Sequence, residues 1–349
     1  VFFWFGANDN AYVGSCQYQG SIFVPTGYGK SGYETKPKVK YYLYSGALIL
    51  LATALTISIP ILSELAEHSL ISLEIPQNNS NVAGIQKYNI PPVPKDLPVP
   101  QLSARAVLVK DLGTDTMLYQ KDANVRIPIA STTKIMTALV ASEYFKPNAE
   151  LTVKDGANIS GAKIGLIRGE NLSFTSLLYG MLLSSGNDAA FAIAENYPGG
   201  ILGFVSAMNK KAAGLNLANT HFDNPAGFDS SRHFSSAKDL SIITEEALNN
   251  YRLARIFATK ETNIVSLDKK YQHKLSNLNK LLSQVRGVLG VKTGYTQDAK
   301  ENLVTFVDRD GHQILTVILG SDDRFGESER LIEWVYENFS WPGIENHQL

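Results

Sequence analysis

The apolar positions divide the chain into two unequal parts. Between Tyr41 and Leu62 the run YYLYSGALILLATALTISIPIL carries no charged residue. A helix over these 22 residues would rise about 1.5 Å per residue and reach roughly 33 Å, enough for a bilayer core. Lys36, Lys38 and Lys40 precede the run, and Glu64 and Glu67 follow it. Lysines ahead of a span keep that end in the cytoplasm, so the run predicts a single-pass membrane anchor at 41–62, with the remainder exported. A cleaved signal peptide has a shorter apolar region and a small-x-small site behind it; SELAEHSL offers none. Residues 1–40 show no period and receive no role. From 75 to 100 the chain holds six of its 14 prolines, with Asn and Ser between them. Such a stretch buries too little apolar surface to fold and stays semi-extended. A linker is therefore expected over 63–100, then one domain over 101–342 and a short tail at 343–349.

Within that domain the pattern predicts strands at both ends and helices between. ARAVLVKD and TMLYQKD read as two strands of a hairpin joined by Leu112–Asp115. KIMTALVASEYF is an apolar helix, and helical spacing recurs near 174–183, 187–196, 201–213 and 236–249. Strand-like runs return at 288–293, 302–308 and 313–319, the last two split by Arg309-Asp310-Gly311. SERLIEWVYENF closes as an amphipathic helix. An α/β (α+β) fold is expected: one antiparallel sheet assembled from both ends of the domain, with a helical cluster.

Composition narrows the function. The 349 residues carry a net charge of −1, from 32 basic and 33 acidic side chains, which excludes a strongly basic nucleic-acid binder. A single cysteine, Cys16, excludes an intramolecular disulfide framework and any multi-cysteine metal site. The six histidines show no metal-ligand spacing.

Three short motifs carry the candidate chemistry. Ser131-Thr132-Thr133-Lys134 opens the apolar helix, and three residues is nearly one turn, so Lys134 lies beside Ser131. A serine hydroxyl needs a base to become a nucleophile. Burial beside Ile135, Met136 and Leu139, together with the helix N-terminus, would lower the lysine pKa and supply that base. Ser185-Gly186-Asn187 sets a hydroxyl and a carboxamide at a helix start, where capping is the plainer role. Lys292-Thr293-Gly294 lies in the strand VLGVKTGYT, which sends residues 292 and 294 to one face, with a glycine where another backbone can approach.

The ordered triple SxxK, SxN and KTG, spaced by 54 and 107 residues, is the pattern of the penicillin-recognising serine enzymes. IPIASTTKIMTALVA, RGENLSFTSLLYGMLLSSGNDAAFAIAE, THFDNPAGFD, HFSSAKDLSII and GVLGVKTGYT make residues 98–340 resemble the low-molecular-mass D-alanyl-D-alanine carboxypeptidases. The resemblance implies the β-lactamase/transpeptidase-like fold. It also implies removal of the terminal D-alanine from peptidoglycan stem pentapeptides, acylation by β-lactams, no metal or cofactor, and a place at the bacterial cell membrane. By position it assigns Ser131 as nucleophile, Lys134 as its base, Ser185 as a proton relay and Asn187 as a grip on the substrate amide. Lys292 and Thr293 would hold the terminal carboxylate beside Gly294, and the N–H groups of Ser131 and Tyr295 would form the oxyanion hole.

Lys300 stands where the family usually has glycine. His233 is expected to make a structural hydrogen bond. A D,D-endopeptidase would use the same machinery. A serine β-lactamase would add a deacylating glutamate, for which Glu170 is the candidate. A non-catalytic wall-binding module would have no need of the intact Ser131, Lys134, Ser185, Asn187 and Lys292.

Overall fold

The first two strands form the expected hairpin. β1 (Ala106–Asp111) and β2 (Met117–Lys121) pair antiparallel, and the Asp111 carboxylate accepts the Thr114 N–H inside the turn. These coordinates are a computed structural model that describes residues 84–342. The expected anchor at 41–62, the segments 1–40 and 63–83 and the tail 343–349 lie outside the described residues. Among the described residues no helix is long and apolar enough to cross a membrane.

A 3₁₀ turn at Ala130–Thr133 leads into α1 (Lys134–Tyr144), which is buried from Lys134 to Ala141. It is apolar on nearly every side, the signature of a core helix. Burial of Ile135, Met136 and Leu139 stabilises the fold by roughly 1.5–3 kcal/mol each. β3 (Glu150–Thr152) and β4 (Asn171–Ser173) make a small separate sheet. Then come α2 (Phe174–Leu182), α3 (Asn187–Glu195), α4 (Gly200–Gly214), α5 (Ala237–Leu248) and α6 (Tyr251–Ala258). The hairpin β5 (Glu261–Val265)/β6 (Gln272–Ser276) and the short α7 (Leu281–Gln284) precede β7 (Val288–Thr296), β8 (Lys300–Arg309) and β9 (His312–Ser321). α8 (Arg324–Asn338) closes the domain, and the Asp323 carboxylate caps it by accepting the Gly326 N–H.

The main sheet is antiparallel in the order β2-β1-β9-β8-β7. Chain-terminal hairpins thus meet at its centre, where β1 pairs with β9. Both faces are covered. Leu108, Val304, Phe306, Leu315 and Val317 face the helical layer of α1 to α6. Val107, Val109, Leu303, Val307, Ile314 and Ile318 face Leu331, Ile332 and Val335 of α8. Two buried faces explain why these strands are almost continuously apolar rather than alternating.

The proline-rich stretch departs from the expected free linker. Val93 and Pro94 pair with Ser340 and Phe339. Lys95 and Leu97 donate their N–H groups to the Asn338 carbonyl and side chain. Tyr88 Oη donates to Asp111, and Trp334 Nε1 donates to Leu97 O. An extended strap at Gln86–Leu97 is thus bound to the domain, which begins before residue 101. Composition missed this because the strap contributes few buried side chains and is held through its backbone. α6, β5 and β6 were not among the expected elements. α6 is amphipathic but only eight residues long, and the hairpin buries only Ile264, His273 and Leu275.

Candidate active site

The turn that carries Ser131 is built against sterics. Ala130 adopts φ 48°, a left-handed conformation that a side chain disfavours. Three contacts hold it there. Thr133 Oγ1 donates to Ala130 O at 2.7 Å and lies 2.7 Å from His233 Nε2. His233 Nδ1 accepts the Asp223 N–H, so the ring proton sits on Nε2 and is donated to Thr133. Gly227, with φ 93°, packs so closely that an added Cβ would lie 1.9 Å from Ala130 O. Burial pushes the His233 pKa down to about 4, which keeps this donor in its neutral form. The histidine makes the structural hydrogen bond expected of it.

Lys134 is fully buried in the first turn of α1. Its Nζ lies 3.0 Å from Ser131 Oγ and 2.8 Å from each of Asn187 Oδ1 and Ala226 O. The last two oxygens only accept hydrogen bonds. Desolvation, reinforced by the Lys292 charge, drives the Lys134 pKa well below the usual lysine range, against a smaller opposing pull from Asp188. In its neutral form the amine would have two N–H bonds for the two acceptors and a lone pair for the serine.

Both acceptors are themselves positioned. Asn187 Nδ2 donates to Ser160 O, and its backbone N–H donates to Ala162 O. Asn224 Oδ1 accepts from the N–H groups of Ala226, Gly227 and Phe228, folding the loop that presents Ala226 O. Ser185 sits at φ 58°, where the chain turns into α3, and is buried. No hydrogen bond joins its hydroxyl to another described residue.

β7 forms the outer edge of the sheet and runs beside this turn. An added Cβ on Gly294 would lie 3.1 Å from Ser131 N and 3.0 Å from Ile129 O, so glycine permits the close approach. Lys292 and Thr293 are buried, whereas Tyr295 is exposed. Lys292 Nζ donates to Thr293 O. Burial, then the Arg324 guanidinium, push its pKa down to about 7. Thr296 Oγ1 donates to Asp229 and ties β7 to the loop on the opposite wall.

Arg324 was not singled out from the sequence. It opens α8, donates Nη1 to Gly294 O at 2.9 Å, and leaves Nε buried with no partner among the described residues. Nothing local marks it, because it reaches β7 only through the return of α8 to the end of the sheet. Lys300 adopts φ 59° in the β7–β8 turn, with an exposed side chain. That left-handed position explains why glycine suits it elsewhere.

The structure therefore gathers Ser131, Lys134 and Asn187 into one hydrogen-bonded group beside Lys292, Thr293 and Gly294. That arrangement brings together the three motifs whose order is the pattern of the penicillin-recognising serine enzymes. The chain belongs to the D-alanyl-D-alanine carboxypeptidase family, whose profile matches residues 94–323. It is 33% identical over 256 residues to D-alanyl-D-alanine carboxypeptidase DacF of Bacillus subtilis, covering 70% of this chain and 64% of that protein. A D-alanyl-D-alanine endopeptidase of Pseudomonas aeruginosa is 31% identical, over 70% of this chain and 81% of its own. A crystal structure of a Streptomyces DD-transpeptidase superposes with a TM-score of 0.65 at 30% identity, covering 69% of this chain and all of that one.

Proposed function

We propose that this chain removes the C-terminal D-alanine of peptidoglycan stem pentapeptides through an acyl-enzyme on Ser131. The observation that carries the reading is the three-way environment of Lys134, which leaves a buried amine lone pair facing Ser131 Oγ. The Ser131 proton passes to Lys134 Nζ as Oγ attacks the penultimate carbonyl. The oxyanion is received by the N–H groups of Ser131 and Tyr295, where removal of one donor costs about 10²–10³ in rate. Ser185 relays a proton to the departing amine, and water then hydrolyses the ester.

Lys292, Thr293 and Arg324 hold the terminal carboxylate. The unpartnered Arg324 Nε and the paired positive charges supply what an anionic end requires. Deacylation through Glu170, as in a β-lactamase, finds no support. Its buried carboxylate already contacts His273 through Oε1 and accepts the Ile167 N–H through Oε2. Release of D-alanine from a pentapeptide ending in D-Ala–D-Ala, together with penicillin labelling, tests the reading. Both are lost in Ser131→Ala, and survival of either one refutes the nucleophile.

The uncharged run 41–62 behind three lysines supports attachment to the bacterial membrane with this domain outside. Carbonate-resistant membrane association that disappears on deletion of 41–62 is the expected result; unchanged association would exclude that anchor.

A further inference from the structure

A second titratable pair lies outside the groups that touch the substrate. His273 on β6 places Nδ1 3.1 Å from Ile164 O and Nε2 2.7 Å from Glu170 Oε1. The side chains are 7% and 0% exposed. A carbonyl only accepts, so Nδ1 must carry a proton. A neutral imidazole would then turn a bare Nε2 toward a carboxylate oxygen, lone pair against lone pair, in a dry site. The observed contact requires one more proton, held either on Nε2 or on Glu170 Oε1.

This pair clamps the segment that organises Asn187. Glu170 Oε2 accepts the Ile167 N–H, and His273 holds Ile164 O. Between them the N–H groups of Ile164, Gly165 and Leu166 converge on Asp188. A few residues earlier, Ser160 O and Ala162 O fix the Asn187 side chain and backbone. Asn187 Oδ1 in turn takes a Lys134 N–H.

We infer that Glu170 and His273 share a proton that locks this segment onto the β5–β6 hairpin, making them positioning residues for Asn187 and hence for acylation. Breaking the pair frees the segment from the hairpin and slows acylation. The other charged groups nearby do not replace that proton. Asp188 on α3 is occupied by the segment's own N–H groups. Arg168 pairs with Asp155, Lys163 and Lys274 are exposed, Glu261 sits at the far end of β5, and Tyr179 is the titratable group on α2. None is within ion-pair distance of Glu170 or His273 among the described residues.

Glu170→Gln gives a sharp test, because a glutamine amide can donate to the bare Nε2 while its carbonyl accepts the Ile167 N–H. Penicillin acylation of the full chain would be followed at one pH for wild type, Glu170→Gln and His273→Ala. Glu170→Gln, which keeps both contacts, is expected to acylate at close to the wild-type rate, and His273→Ala about tenfold more slowly.

A Glu170→Gln variant as slow as His273→Ala, or a His273→Ala variant as fast as wild type, would overturn the clamp. Imidazole ¹⁵N NMR of the wild type gives an independent readout: Nδ1 carries a proton and Nε2 is hydrogen-bonded to Glu170. A bare Nδ1 would also overturn it. The inference rests on the acyl-enzyme reading only for its kinetic readout. Absence of acylation in every variant would count against that reading, and the NMR result would still decide the clamp.

Discussion

His233 Nε2 donates to Thr133 Oγ1 across 2.7 Å, and Thr133 passes the restraint to the carbonyl of left-handed Ala130. The conformation of the Ser131 turn thus depends on a residue 100 positions from Thr133. His233→Ala should cost about 1–3 kcal/mol of stability and slow acylation about tenfold. His233→Gln, which keeps an N–H donor, should recover most of the rate. Thermal unfolding and penicillin labelling measure the two effects. Equal labelling rates in wild type and His233→Ala would mean that the turn holds its shape unaided.

The same histidine makes stability pH-dependent. Its pKa is about 4 in the folded protein and about 6.5 in the unfolded chain. Between those values the unfolded state binds the extra proton, so stability rises with pH and is lost as pH falls from about 6.5 to about 4. The loss amounts to about 3 kcal/mol. Urea unfolding of His233→Gln across that window should show a correspondingly flatter profile. An unchanged profile would assign the acid sensitivity to other groups.

Lys292 should give the enzyme an alkaline limb in substrate binding. It is charged below about 7 and neutral above, so KM for a peptide with a free carboxylate should rise as pH increases through that range. Lys292→Arg stays charged and should flatten the rise. Identical KM profiles would remove Lys292 from carboxylate recognition.

Arg324→Gln should lower kcat/KM for a D-Ala–D-Ala peptide about 10–100-fold, the scale of a lost charge-assisted pair. An amidated peptide, already poor, should lose little further. Equal losses on both peptides would show that Arg324 acts by holding β7 in place through Gly294 O.

Gly294→Ala should push β7 away from the Ser131 turn, since its Cβ would press on Ile129 O and Ser131 N. Labelling should fall by about 10² or more, while unfolding changes by only about 1 kcal/mol. A variant that labels normally would show that the turn can retreat without consequence.

Much of this architecture was legible in the sequence because its signals are local. Apolar runs with turn residues between them gave the β1–β2 hairpin, the three strands at the domain's end and helices α1 to α5. The ordered motifs located Ser131, Lys134, Asn187 and Lys292. What stayed hidden depends on distant return of the chain. Arg324 meets β7 and His273 meets Glu170, each through contacts that no short pattern encodes. The strap at Gln86–Leu97 was hidden for another reason: backbone pairing at Val93–Pro94 and caps from Asn338 leave composition looking like a free linker.

The outer position of β7 has a consequence for selectivity. A strand paired on one side only offers its free peptide groups to whatever extended chain lies beside it. Every amino acid carries the same peptide group, so an edge of this kind is indifferent to most side chains upstream of the scissile bond. Discrimination would then come from the chain's end, where Lys292, Thr293 and Arg324 are proposed to meet a carboxylate. Such an enzyme would accept stem peptides of varied composition and still ignore any chain whose terminus has been capped.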